Sequence, residues 1–482
     1  MNYSIILFIL GKVMMLEAAC FLIPAVTSII YGEHEGIVYL AVGAVTALIG
    51  YLISSKKKFE NVFFAREGFI MVALSWMVLS VVGAIPFVLT GEIPHIIDAL
   101  FETVSGFTTT GASILENVEE LSHTSLIWRS FTHWVGGMGV IVLLLAILPM
   151  AGGYNMHLMK AESPGPVVGK LVPRLRDTAK ILYLIYLVMT IIEFVILVFI
   201  KMPVFDALCI TFGTAGTGGF GIKADSMGSY SAAIQVVVTI FMILFGVNFN
   251  AYFLLLGKHK KAAFKMEEVR WYFGIIFAAI IMITFNIRGY FESIFMALKH
   301  AAFQVGSIIT TTGYSTTDFD LWPVFSKNIL VMLMMFGACA GSTGGGIKIS
   351  RIIAMVKSVL QEIGYYIHPR GVKTIKMDGK VLEKPILNNI RVFMLTYIMI
   401  YAVSMFLISL NNFDMETNFT AVAATFNNIG PGLAKVGPMA NFNIYSYFSK
   451  AVLIFDMLAG RLELYPMLLL LSPGVWNIGK DK

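Results

Sequence analysis

Four short segments of this chain share one form, in which a partly apolar stretch runs into a loop centred on glycine. They are Thr108-Thr109-Thr110-Gly111-Ala112-Ser113, Thr214-Ala215-Gly216-Thr217-Gly218-Gly219-Phe220, Thr310-Thr311-Thr312-Gly313-Tyr314-Ser315 and Asn427-Asn428-Ile429-Gly430-Pro431-Gly432. The first and third are nearly the same hexamer, and the four recur at comparable intervals. Four such loops on one polypeptide are what an ion pore needs if all its quarters belong to a single chain. A site that strips a cation of water must replace that water with a ring of backbone carbonyls. Glycine allows the backbone to turn its carbonyls inward at dihedrals other residues avoid.

The solvent around these loops is lipid. Apolar residues make up 57% of the 482 residues and charged residues 13%, against roughly 45–50% and about 25% in soluble domains. Apolar runs of about 20 residues recur, the length that crosses a bilayer as a helix. The net charge of +6 is small for this length, and the basic residues gather in particular loops, so nucleic acid is not an expected partner. Cys20, Cys209 and Cys339 lie far apart in apolar stretches, without metal spacing or a disulfide framework. The N-terminus lacks a basic region and Lys12 interrupts its apolar run, so it reads as a retained helix rather than a secretory signal.

The predicted fold is an all-α membrane protein: two N-terminal helices, then four repeated helix–re-entrant pore loop–helix units around one pore. The helices are expected over 4–31 and 37–54, then 68–90, 97–107 and 131–150 in unit 1, and 181–200, 204–213 and 231–257 in unit 2. Unit 3 uses 271–287, 293–309 and 327–358, and unit 4 uses 391–410, 417–426 and 446–470. The corresponding divisions are 1–66, 67–177, 178–264, 265–390 and 391–482. The short middle segments are too short to span, and a re-entrant segment is tolerated where its loop lines a cavity.

Basic residues set the orientation. Most of the 35 Lys and Arg fall in 55–66, 151–180, 258–270, 348–391 and the C-terminal tail. With those segments and the N-terminus in the cytoplasm, all four glycine loops face outward. The outer segments carry acids, among them Glu102, Glu119, Glu120, Asp206, Asp318, Asp320 and Asp414, which would concentrate cations at the mouth. His95, His123, His133, His157, His259, His300 and His368 read as lying in loops or near helix ends, with no ligand pair among them.

The paired helices around single-glycine loops resemble the Trk/Ktr/HKT superfamily of cation transporters, and the two extra N-terminal helices resemble its TrkH branch. Further carriers of the resemblance are His133-Trp134-Val135-Gly136-Gly137-Met138-Gly139, Gly341-Ser342-Thr343-Gly344-Gly345-Gly346-Ile347-Lys348 and Gly460-Arg461-Leu462-Glu463. The resemblance covers essentially the whole chain. It implies a multi-pass potassium uptake protein of the bacterial inner membrane, a homodimer, with a cytosolic nucleotide-binding regulatory ring of the NAD/ATP type as partner. Transported K⁺ is then the only bound ion, with no organic cofactor on this chain. The implied filter residues are Thr109, Thr110, Gly111, Thr217, Gly218, Thr311, Thr312, Gly313, Asn428, Ile429 and Gly430. Gly216, Gly218 and Gly219 all compete for the glycine position of the second loop, and alignment of the following Gly-Phe favours Gly218. Passive flux, Na⁺ symport and H⁺ symport stay open.

A helix over 327–358 at about 1.5 Å per residue would be about 48 Å long, against a hydrocarbon core of about 30 Å. In its middle lie Gly337, Ala338, Cys339, Ala340, Gly341, Ser342, Thr343, Gly344, Gly345 and Gly346. Each interior glycine costs about 1 kcal/mol against alanine in a helix, so a break is expected below the filter. The resemblance makes it an intramembrane gating loop. A nucleotide phosphate loop is excluded, because Ile347 stands where the lysine must be. Arg461 lies inside an apolar stretch, where an arginine needs a partner or a wet cavity. Asp456 and Glu463 are candidate partners, and the resemblance puts Arg461 beside the gating loop as an electrostatic barrier. Asn248 either lines the pore or bonds between helices. An organic-solute transporter would show inverted repeats, and an intramembrane enzyme would need a nucleophile with a base, or metal ligands.

Overall fold

The computed structural model describes residues 3–55, 65–139, 175–257, 260–370 and 374–476. The calls for Lys56-Lys57-Lys58, for 140–150 and for the stretch 151–174 lie outside the described residues.

The N-terminal helices are α1 (Tyr3–Cys20), α2 (Leu22–Tyr31) and α3 (Glu35–Ser55). The first two form one apolar stretch turned at Phe21. Gly11 and Gly50 let α1 and α3 pack backbone to backbone: a Cβ on Gly11 would stand 2.6 Å from the Gly50 carbonyl oxygen.

Each unit then opens on a long continuous span: α4 (Ala65–Thr90), α7 (Leu175–Phe199), α12 (Glu267–Ile287) and α16 (Lys384–Ile408). Counting α1 with α2 as one span, and with α3, these make six helices among the described residues that are long and apolar enough to cross a membrane. Each is followed by a short helix that stops at a glycine loop: α5 (Ile96–Phe107), α8 (Val204–Gly216), α13 (Ile294–Ile309) and α17 (Met415–Phe426). Ser293 and Asp414 cap the starts of α13 and α17 through the amides of Phe295 and Thr417.

The third element departs from expectation in units 1, 2 and 4, and breaks as expected in unit 3. Unit 1 has α6 (His123–Gly137), which begins eight residues earlier than expected, at the Ser122 cap. Unit 2 is broken between α9 (Ala232–Phe245) and α10 (Phe249–Leu256), bent by 91°. The Gly246 carbonyl leaves the helix ladder to accept from the Cys339 amide, and Asn248 starts the new helix by capping Asn250. The short α11 (Lys260–Lys265) leads into unit 3. There the expected break occurs: α14 (Val324–Phe336) and α15 (Ile349–Ile367) are separated by residues 337–348. A hairpin, β1 (Lys376–Met377) and β2 (Lys380–Val381), leads into unit 4. Unit 4 breaks between α18 (Tyr447–Arg461) and α19 (Tyr465–Leu471), with Glu463 and Leu464 at positive φ. The expected continuous helices over 231–257 and 446–470 are therefore corrected.

Candidate functional site: a four-loop cation pore

The four short helices end in the same hydrogen-bonded motif. In unit 1 the Thr109 amide donates to Gly106 and the Thr110 amide to Ser105; in unit 2, Thr217 donates to Thr214 and Gly218 to Gly213. Unit 3 repeats this with Thr311 to Ile308 and Thr312 to Ser307, and unit 4 with Asn428 to Thr425 and Ile429 to Ala424. This is the reverse-turned C-terminus of a Schellman motif, with one left-handed residue at its centre. That residue is Thr109, Thr217, Thr311 or Asn428, at φ 54–59°. Two residues later comes a glycine at positive φ: Gly111 (79°), Gly219 (80°), Gly313 (88°) and Gly430 (98°).

This register corrects the second loop. The residue equivalent to Gly111, Gly313 and Gly430 is Gly219, whereas Gly218 stands level with Thr110, Thr312 and Ile429. Three glycines within four positions hid this from the sequence; only the hydrogen bonds separate them.

The loops close on one another in cyclic order. A Cβ on Gly111 would lie 2.0 Å from the Gly218 carbonyl oxygen, and one on Gly219 would lie 1.9 Å from that of Thr312. One on Gly313 would meet the Ile429 oxygen at 2.0 Å, and one on Gly430 the Thr110 oxygen at 2.8 Å. The carbonyls of Thr110, Gly218, Thr312 and Ile429 thus each abut the glycine of a neighbouring unit. All four positive-φ glycines line one cavity of about 220 Å³. The short helices aim their C-termini at this ring, and their partial negative charge favours a cation there.

Two buried side chains brace the loops from behind. Arg129 donates from Nε and Nη2 to Glu102 Oε1 at 2.8 and 2.6 Å, and from Nη1 to the Gly221 carbonyl at 3.3 Å. Glu102 also accepts from the Ser113 hydroxyl and the Ile114 amide. Glu102 is therefore not part of the acidic outer surface as expected; its carboxylate is fully buried. His133 donates from Nδ1 to the Gly106 carbonyl (2.7 Å) and accepts at Nε2 from the Phe220 amide (3.2 Å). These partners fix the neutral Nδ1–H tautomer and tie α5 to the second loop. His133 lies inside α6, and His300 inside α13, not in loops or near ends.

Residues 337–348 lie against the ring on the side away from that cavity. The Gly345 amide donates to Thr311 Oγ1 at 2.6 Å, and a Cβ on Gly345 would stand 2.5 Å from the Asn427 carbonyl oxygen. Phe249 donates to the Gly341 carbonyl, and Ile349 to that of Ala338. Lys348, counted from sequence among cytoplasmic charges, is buried, with Nζ on the carbonyls of Gly344 and Gly345. Asn248 bonds between helices, its Nδ2 reaching Glu268 Oε2 at 3.4 Å.

Arg461 ends α18 rather than sitting at mid-helix. Its guanidinium donates to the Thr343 carbonyl at 2.8 Å and to the carbonyls of Gly136 and Gly137 at 2.5 and 2.8 Å. The proposed acidic partners are engaged elsewhere: Glu463 pairs with Arg351, and Asp456 accepts from the Ser404 hydroxyl at 2.6 Å. Arg461 thus links unit 4 to the 337–348 segment of unit 3 and to the end of α6 in unit 1.

The profile of a family described as "TrkH: Cation transport protein" matches residues 36–475. The chain is 37% identical to the Trk system potassium uptake protein TrkH of Escherichia coli strain K12, over 99% of this chain and 100% of that protein. It is 31% identical to the Trk system potassium uptake protein TrkG of the same strain, over 97% of both. The crystal structure of the potassium transporter TrkH from Vibrio parahaemolyticus superposes with a TM-score of 0.88 at 33% identity, covering 99% of this chain and all of that one.

Proposed function

The chain belongs to the TrkH family of cation transport proteins, and on that premise we propose that it takes up potassium across the bacterial inner membrane. The observation that carries this reading is the closed ring of four glycines on one cavity. A desolvated K⁺ would be held by the carbonyls of Thr110, Gly218, Thr312 and Ile429, with Gly111, Gly219, Gly313 and Gly430 allowing the backbone to present them. One carbonyl ring per turn is shorter than the filter of potassium channels, so discrimination against Na⁺ is expected to be looser.

Residues 337–346 serve as the gate beneath this ring, and Arg461 as a fixed positive charge beside it. Residues 1–66 form a two-helix N-terminal division and 67–177, 178–264, 265–390 and 391–482 the four pore units. The N-terminus is cytoplasmic, the glycine loops open outward, and lipid surrounds the spans. The chain acts as a homodimer on a cytosolic nucleotide-binding ring, which supplies the nucleotide control.

The test is ⁸⁶Rb⁺ uptake by liposomes holding the purified protein, with K⁺, Na⁺ and an organic solute as competitors. Competition by K⁺ well below the effective Na⁺ concentration is expected. Uptake of the solute without Rb⁺ would sink the proposal.

A further inference from the structure

The first turn of α12 carries two adjacent acids with opposite destinations. Glu268 is buried, 5% exposed. Its Oε1 accepts from the Ala340 amide at 2.7 Å and from the Ser350 amide at 3.1 Å, while Oε2 receives Asn248 Nδ2 at 3.4 Å. One carboxylate therefore gathers three chain segments: the break after α9, the gating segment and the start of α15. The first turn of α15 has no acidic residue and no side-chain cap of its own. An anion favours a helix N-terminus and satisfies its orphan amides, and here the anion comes from α12. Glu267 points the other way. Its Oε1 pairs with Lys357 of α15 at 2.5 Å, and its amide donates to Asp378 of the hairpin at 2.6 Å. Lys357 also reaches the Lys376 carbonyl at 2.6 Å.

We propose that Glu268 is a positioning residue for the gate: it fastens the 337–348 segment and the start of α15 to a fixed span, and Glu267 beside it connects that fastening to the hairpin 376–381. Displacing the hairpin pulls on Glu267 and Lys357, and the pull is carried to Glu268 one residue away. The segment then loses its anchor at Ala340 and Ser350 together, because both amides share one oxygen. This inference rests on the reading of 337–346 as a gate.

The test compares full-length protein with Glu268→Gln and Asp378→Ala in liposomes and by amide hydrogen exchange. Glutamine keeps the size and one acceptor but removes the charge that strengthens the bonds. Glu268→Gln is expected to speed exchange at residues 338–350 about tenfold, the scale of reducing a charge-assisted bond to a neutral one, with exchange in the four glycine loops unchanged. Basal ⁸⁶Rb⁺ flux is expected to rise by a similar factor while K⁺ preference over Na⁺ stays put. Asp378→Ala should move both readouts in the same direction by less. Exchange that rises throughout the protein, or flux that falls or stays level while 338–350 loosens, overturns the anchor. If the parent carries no Rb⁺ the transport reading fails by itself, and the exchange measurement still decides whether Glu268 holds the segment.

Discussion

A threonine held at φ above +50° is strained, and this chain holds three of them at equivalent points, Thr109, Thr217 and Thr311. A β-branched residue there is disfavoured by about 1–3 kcal/mol, and glycine would remove that cost. At the third of these positions the threonine side chain is used: Thr311 Oγ1 accepts from the Gly345 amide. At the next position but one the conformation admits only glycine, since the neighbouring unit's carbonyl stands within 2.0 Å of a Cβ at Gly111, Gly219 and Gly313. Gly219→Ala should therefore displace the Thr312 carbonyl and lower K⁺ preference over Na⁺ about tenfold, roughly 1.4 kcal/mol. Competition of Na⁺ with ⁸⁶Rb⁺ reads this directly, and unchanged preference removes Gly219 from the ring. The Glu102–Arg129 brace makes a second residue-level claim. Glu102→Ala leaves a buried guanidinium without its counter-charge and should destabilise the protein by about 3–5 kcal/mol, seen as a lower Tm. Joint replacement by Leu and Met should restore Tm, because buried pairs often exchange for apolar packing at little cost. It should not restore selectivity, since the ties to Ser113, Ile114 and Gly221 are gone.

At the scale of elements, the sequence was legible where chemistry is concentrated and silent where it is dispersed. Five glycines within 337–346 announce a break. The breaks after Phe245 and Arg461 have one adjoining glycine each, Gly246 and Gly460, in apolar runs that continue beyond them, so nothing in periodicity marks them. Their cause is tertiary: Gly246 turns its carbonyl to Cys339, and Gly460 packs so tightly that a Cβ would lie 2.0 Å from the Phe426 carbonyl oxygen. Lys348 was illegible for a similar reason, since a lysine after an apolar run reads as a cytoplasmic flank until the fold folds it back onto Gly344 and Gly345. The start of α17 gives a pH-dependent claim. The Thr417 hydroxyl and amide, at 2.7 and 2.9 Å, hold the Asp414 carboxyl below its usual range. A lowered folded-state pKa means the cap's contribution is complete above the ordinary carboxylate range and is lost as pH falls through the lowered value. Tm should thus drop more between pH 5 and pH 3 in the parent than in Asp414→Asn, about those values being set by the ordinary Asp pKa near 3.9. Equal slopes would show that the cap contributes nothing measurable.

Across the whole molecule, Arg461 joins three units on the side of the ring where residues 337–348 lie. It reaches from unit 4 to Thr343 in unit 3 and to Gly136 and Gly137 in unit 1. Two consequences of removing it oppose each other. As a fixed charge, it repels a cation entering the same space: at an effective dielectric of about 20, two unit charges 4 Å apart repel by about 4 kcal/mol. Even a third of that is about tenfold in rate. As a strut, it satisfies three carbonyls, and losing bonds to a charged group costs about 1.5–3 kcal/mol each. The Gly136 carbonyl also accepts from the Gly139 amide at 3.2 Å, so it keeps a partner when the guanidinium is lost, which limits the structural loss. Arg461→Ala should therefore raise basal K⁺ flux about tenfold or more, with the ring's preference for K⁺ over Na⁺ little changed, because the ring carbonyls belong to other residues. Arg461→Lys keeps the charge but cannot span three carbonyls with one ammonium. If charge is the barrier, the lysine variant stays near the parent in flux; if bridging is the barrier, it conducts like the alanine variant. Flux per molecule at matched, monodisperse protein decides among these, and an alanine variant that folds normally and conducts no faster makes Arg461 a strut alone.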